Sequence, residues 1–315
     1  MDAPHALTIS ADGKLLSFLK TRLWEDVYLA ELDQDGASMK PPRRFTLDNR
    51  GLQSINSWTL DSQAILFSSD RNGKAEVFRQ GLNESVGEAV LQGSEDNYKV
   101  GLSSDGAMLY VESARATPGA PPAPQRLMRR PVAGGSPDTV LEEPAATEWD
   151  YGCPLKPGSP CVLRQKEGKE FVFYSLDPVR GKGELLGKRE VPSVGFIGWN
   201  LSPDGSRLAL VATKYHGEIE MLNLRDRAWH EVSSEPGWGD FQSTAWAADG
   251  NSFFVTSWLP DSFNLLHVTL AGKVIPLLRN GRRQWIYHPL PSRDGKYLAF
   301  QGQTWDSNVW MLEGF

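Results

Sequence analysis

A chain of 315 residues with 40% apolar content can bury a sizeable core, and its 33 basic against 39 acidic residues give a net charge of −6 with no Lys/Arg-rich run. That balance excludes nucleic acid as a partner of this domain. No apolar run is long enough to span a bilayer as a helix, and Met1 to Ala6 lack the basic and then apolar pattern of a secretory signal.

From the N-terminus onward the chain repeats one hairpin. Its clearest copy is Leu201 to Leu210, where Ser202-Pro203-Asp204-Gly205 reads as a tight turn between two strands and Leu208 and Leu210 point to one face. With the turn residue as anchor, the copies fall at Asp12, Asp61, Asp105, Pro157, Asp204, Asp249 and Asp294, at intervals of 49, 44, 52, 47, 45 and 45 residues. The next residue is glycine in six copies and Ser62 in the other. Four and six residues past the anchor stand apolar pairs such as Leu16 and Phe18, Ile65 and Phe67, or Leu298 and Phe300, which mark a second strand buried on one face.

A third strand follows each hairpin, at Val27–Leu29, Val77–Phe78, Leu127–Met128, Phe171–Phe173, Ile219–Met221, Leu265–Leu266 and Val309–Met311. A weaker fourth follows in six repeats. A period of this length belongs to propeller blades. The prediction is an all-β, seven-bladed β-propeller of four-stranded antiparallel blades. One domain spans residues 1–315, with blades at about 6–47, 53–92, 98–143, 149–190, 196–234, 241–279 and 285–315. The seventh repeat stops after its third strand. Either that blade keeps three strands or a segment upstream of this chain supplies the fourth.

Cys153 and Cys161 lie symmetrically about Pro157, where a hairpin turn is expected, so they can face each other across two strands. A disulfide and a pair of buried free thiols both fit this spacing. An extracytoplasmic compartment is favoured over the cytoplasm.

The stretches Ser-Pro-Asp-Gly-Ser-Arg-Leu-Ala-Leu at 202–210, Ser-Arg-Asp-Gly-Lys-Tyr-Leu-Ala-Phe at 292–300 and Ser-Ala-Asp-Gly-Lys-Leu-Leu-Ser-Phe at 10–18 resemble the TolB-like, WD-repeat-like β-propeller repeat. In texture they are most similar to the propellers at the C-termini of bacterial winged-helix regulators and serine/threonine kinases. The resemblance implies a propeller fold over nearly the whole chain. It is nearly silent on function, because such blades serve binding proteins, peptidase gates and polysaccharide lyases alike.

In this topology the loops leading into the first strands share one face with those joining the second strands to the third, and binding residues are expected there. The candidate ligand-binding set is Tyr98, Trp149, Phe196, Phe241 and Trp285, with Arg50, Asp150, Asp240 and Arg283 as a charged rim; Trp24, Tyr215, Trp258 and Trp305 sit on loops of the same face. The same rings also suit a purely structural role as wedges between blades. His5 and His288 would approach each other on neighbouring first and seventh blades, but two imidazoles are too few for a metal site. No Gly-x-Ser-x-Gly elbow, His-Glu-x-x-His pair or phosphate-binding glycine loop is present. The sequence therefore points to a scaffold without a cofactor or catalytic residues, binding a protein, peptide, sugar or other small ligand. The alternative is a carbohydrate-active lyase or hydrolase with its site at the propeller mouth.

Overall fold

The computed structural model describes residues 4–33, 35–47, 52–114, 121–131, 134–154, 156, 158–190, 197–212, 217–281 and 284–313. These residues form strands and turns only. The chain opens with β1 (Pro4–Ile9), β2 (Leu15–Glu31) and β3 (Arg43–Arg44). Five blades of four consecutive strands follow. The first two hold β4 (Gln53–Trp58), β5 (Ala64–Ser69), β6 (Glu76–Gly81), β7 (Glu88–Leu91), β8 (Asp96–Leu102), β9 (Met108–Ser113), β10 (Gln125–Arg130) and β11 (Asp138–Glu143). The third and fourth hold β12 (Trp149–Gly152), β13 (Cys161–Glu167), β14 (Glu170–Asp177), β15 (Gly181–Glu190), β16 (Ile197–Leu201), β17 (Arg207–Ala212), β18 (Glu218–Asn223) and β19 (Trp229–Ser233). The fifth holds β20 (Asp240–Trp246), β21 (Ser252–Leu259), β22 (Ser262–Thr269) and β23 (Val274–Gly281), and the chain ends with β24 (Gln284–Pro291) and β25 (Tyr297–Glu313).

All seven hairpin turns are present. The residue after each anchor has positive φ: Gly13, Gly106, Gly158, Gly205, Gly250, Gly295 and, at 58°, Ser62. Glycine takes this conformation without steric cost, whereas serine must be held there. Ser62 is held by its neighbour, since its hydroxyl accepts a hydrogen bond from the Asp294 N–H of the next blade at 3.2 Å. Five of the seven turns are also stapled from within. The hydroxyls of Ser10, Thr59, Ser103, Ser202 and Ser292 donate to the Asp two residues on at 2.5–2.6 Å.

The expected first and seventh blades are not separate sheets. β2 and β25 are each 17 residues long and pair without interruption from Leu15↔Glu313 to Glu31↔Tyr297. The predicted third strands exist but exchange partners. The hairpin of β24 and β25 takes Val27 to Glu31 as its third strand and β3 as its fourth, completing a sixth blade from both chain ends. The first hairpin takes the end of β25 and makes a partial, three-stranded sheet. Neither strand turns where a loop to a third strand is expected: Thr21 to Asp26 and Gln301 to Asn308 both stay extended in the ladder, the latter despite Gly302, Ser307 and Asn308.

The closing blade is buried where it completes the ring, with Val27 and Leu298 at 0% exposure, and open where it extends beyond, with Val309 at 77%. Glu25 knots the two ends together. It accepts hydrogen bonds from Tyr287 Oη (2.6 Å), Gln301 Nε2 (3.1 Å) and Gln303 Nε2 (2.6 Å). Across the seam to the first of the five consecutive blades, Trp58 Nε1 donates to Leu290 O at 2.9 Å and Gln301 Nε2 to Gln53 O at 2.7 Å. Between blades lie separate apolar clusters, such as Phe171, Phe173, Leu208 and Leu210.

Glu25→Ala strands three donors at this seam and is expected to lower unfolding free energy by about 1–3 kcal/mol in urea titration. Val309→Ser, on the open extension, should change it by no more than about 0.5 kcal/mol. A second expectation concerns acid. Partial burial alone would raise the Asp204 carboxyl, but hydrogen bonds from Ser202 and Ser206 and the charge of Arg207 outweigh it and push it down to about 2. An unfolded Asp titrates near about 3.9, so this stability is fully present above that pH and is lost as pH falls toward 2. The acid-induced drop in melting temperature between those limits should shrink in Asp204→Asn.

Candidate functional site

The first strands of the six ring blades line a central channel. Its wall is built from Ser54–Ser57, Lys99–Leu102, Asp150–Cys153, Trp199–Leu201, Thr244–Trp246 and His288–Pro291, around a cavity of about 340 Å³. Bulges decide what points into it. Register shifts interrupt the inner strands between Ile55 and Ser57, Tyr98 and Gly101, Phe241 and Ser243, and Tyr287 and Leu290. Six residues before the turn anchor, two of these bulges hold Lys99 at φ 53° and His288 at φ 49°. A non-glycine residue in this region costs about 1–3 kcal/mol and persists only where its surroundings enforce it. At the same position Gly198 has no room for a Cβ, which would lie 2.8 Å from the Ser243 Cα.

Lys99, Asp150 and His288 form the charged part of the channel. Lys99 Nζ lies 3.4 Å from Asp150 Oδ1, with both side chains partly open to water. Burial lowers the His288 imidazole below its usual pKa, while the Asp150 charge pulls it up and the Lys99 charge pushes it down. The residue itself is exposed to the channel, where its imidazole can accept or donate one proton. Its backbone N–H donates to Ser243 Oγ at 3.1 Å, and its ring meets the Tyr287 ring edge to face at 5.0 Å. Neighbouring Thr244 Oγ1 is buried without a hydrogen-bond partner. The sulfurs of Cys153 and Cys161 are bonded beside this wall.

The predicted aromatic mouth separates into two populations. Trp149 and Phe241 are core residues at 5% and 0% exposure, and Tyr98 packs beside Trp149 with its hydroxyl accepting from Gln125 Nε2 at 2.8 Å. Trp149 and Phe241 wedge between blades and offer no face to a ligand, whereas Tyr98 is only partly buried. Trp285 instead belongs to a cluster at the loop end of the channel. Its ring lies 5.8 Å from Trp258, 5.5 Å from Phe263 and 4.8 Å from Trp305, and Trp258 and Trp305 are 43% and 39% exposed. Asp240 begins β20 opposite Trp258, close to this cluster. Phe196, Arg50 and Arg283, with Tyr215, lie outside the described residues.

The expected approach of His5 to His288 does not occur. Sheet order β1-β2-β25-β24 puts their strands on opposite flanks of the central pair, because the first hairpin joined the extension and left the ring. Among the described residues no group of three His, Cys, Asp or Glu side chains is placed to hold a metal. Lys99 was missed by sequence reasoning, although a charged residue six before a turn anchor was a usable signal.

No protein-family description matches the chain, and no curated protein sequence does. Solved structures do. A putative TolB from Agrobacterium tumefaciens superposes with a TM-score of 0.59 at 16% identity, covering 88% of this chain and 98% of that one. The fold is that of a TolB-like β-propeller. TolB from Acinetobacter baumannii gives 0.57 at 18% identity over 82% of this chain and 64% of its own. An oligogalacturonate lyase in complex with manganese gives 0.53 at 14% identity, over 93% and 77% respectively. At such identities the TolB-like propeller is shared as architecture alone, and TolB proteins and a lyase stand among its structural neighbours.

The lowered pKa of His288 carries a pH expectation. Its folded pKa lies below the unfolded value of about 6.5, so the unfolded chain takes up more protons and stability falls as pH drops below that value. His267, also lowered by burial, acts in the same direction. Proton NMR titration should show the His288 ring titrating below the usual imidazole value, and His288→Gln should flatten part of the stability loss between about pH 7 and 5.

Proposed function

We propose that this TolB-like propeller is a non-enzymatic scaffold that binds a protein or small ligand on its loop-rich face. The observation that carries the proposal is the cluster of Trp258, Trp285 and Trp305 over Phe263, with two indoles partly open to water. Many of the other large rings, such as Phe173, Phe241 and Phe253, are buried between blades. Exposed tryptophans held by aromatic neighbours are rigid anchors, which bind with little loss of conformational entropy. Asp240 adds a polar edge to the platform. The texture of the repeats supports a role as the sensory or interaction module of a bacterial regulator.

A second reading has its own observation. Lys99, paired with Asp150, and His288, both on strained bulges of one channel wall, offer proton-transfer groups of the kind a carbohydrate lyase needs for removing a proton next to a carboxylate. A structural neighbour is an oligogalacturonate lyase.

The two readings separate experimentally. A glycan array and a displayed peptide library are screened with wild type and with Trp258→Ala/Trp305→Ala, whose melting temperature should stay within a few degrees because both indoles are partly solvated. The scaffold reading expects binders that weaken about tenfold or more in the double variant. Binders indifferent to it would remove the platform from the argument. Release of unsaturated products from oligogalacturonate by wild type, lost in Lys99→Ala, would move the enzyme reading ahead.

A further inference from the structure

At the opposite end of the channel, where the hairpin turns converge, the residues just before the turn anchors form a second rim. Leu60, Lys156, Pro203, Ala248 and Arg293 occupy this one position in five repeats and border a cavity of about 480 Å³. The only charges at that position are the two cations. Arg293 also lines the central channel, so its side chain stands where the two spaces meet.

Arg293 is half-buried, and among the described residues its guanidinium has neither an ion pair nor a hydrogen bond. Burial pulls it below the usual arginine value, the direction expected of a cation shielded from water without a carboxylate beside it. The other charges of the rim are already engaged. Asp204 accepts from Ser202 and Ser206 of its own turn, and Asp249 from Asn251. Arg207 donates to Gly250 O at 2.8 Å and lies over the Trp246 ring. Lys156 is exposed in the same rim, and among the described residues its ammonium has neither an ion pair nor a hydrogen bond. A planar, permanently charged fork left open between two cavities is matched by a planar or tetrahedral oxyanion.

From this arrangement we infer that the turn-side mouth of the channel is an oxyanion-binding site, in which Arg293 takes a carboxylate or phosphate group of a ligand in bidentate fashion and Lys156 adds a second positive charge. The site lies on the opposite face from the tryptophan platform and is independent of it. The ligand's uncharged part would extend into the channel past Leu102, Leu201 and Leu290, which line it behind Arg293.

The test is calorimetric titration of the whole chain in low-salt buffer, with inorganic phosphate in one arm and citrate in the other. The two arms distinguish a phosphorylated from a carboxylated ligand. Saturable binding is expected in at least one arm, weakened about ten- to a hundredfold in Arg293→Gln and less in Lys156→Gln. Arg293→Lys retains the charge without the fork and should fall between. Melting temperature in buffer free of both anions gives the second readout. Loss of an unpaired, half-buried cation should leave it unchanged or raise it in Arg293→Gln, while the anion-induced rise seen in wild type disappears. Lack of saturable binding in both arms, or an anion response in Arg293→Gln equal to that of wild type, would overturn the assignment.

Discussion

The ladder between β2 and β25 is the constraint on which the rest depends. A ring of blades has two raw edges where the chain begins and ends, and unpaired strand edges buried in a core cannot be satisfied by water. Here the N-terminal strand lies antiparallel against the C-terminal one, so that the last hairpin receives its third and fourth strands from the start of the chain. Both faces of that pairing are buried, Leu29 and Ala299 in one apolar cluster and Leu298 and Phe300 in another, and Tyr28 stacks on Phe300 at 5.6 Å. The Glu25 carboxylate gathers donors from β24 and β25, which makes closure specific as well as apolar.

Closure creates the channel, and the channel has two chemically different ends. At the loop end, aromatic rings from β21, β22, β24 and β25 meet where the fifth blade abuts the closing one. At the turn end, the rim consists of turn residues whose carboxylates are consumed by their own hairpins, leaving cations to face the cavity. Between them the bulged inner strands bring Lys99, paired with Asp150, and His288 to the channel wall. A regular strand would have alternated these side chains between channel and blade interface. The bulge sets them on the channel side at the cost of local strain.

Much of the architecture was legible because it is local. A Ser/Thr-x-Asp-Gly turn carries its own hydrogen bonds, and the alternating apolar residues after it assign a buried face without any knowledge of distant contacts. The seven turns, the second and third strands and the all-β propeller class are therefore written in short windows. The same reasoning extended to the Cys153 and Cys161 positions, which flank one hairpin, could place them across from each other but left their oxidation open. The candidate site was less legible. Trp149 and Phe241 have the same spacing from their anchors as rings expected at the mouth, yet both are sealed between blades. Spacing along a strand does not say whether a ring faces the neighbouring blade or the solvent.

The sequence by itself determined the repeat, the turn chemistry and the propeller, since each depends on residues within about ten positions of one another. Tertiary structure alone decided which third strand each terminal hairpin would take, because β2 and β25 are far apart in sequence and pair only once the ring brings them together. It also decided that His5 leaves the neighbourhood of His288, that Trp258 and Trp305 join Trp285 in one cluster, and that Arg293 stands without a counter-charge. Each of these is a relation between blades. Such relations arise from the packing of separate sheets around a common axis, and nothing in the sequence of a single repeat encodes them.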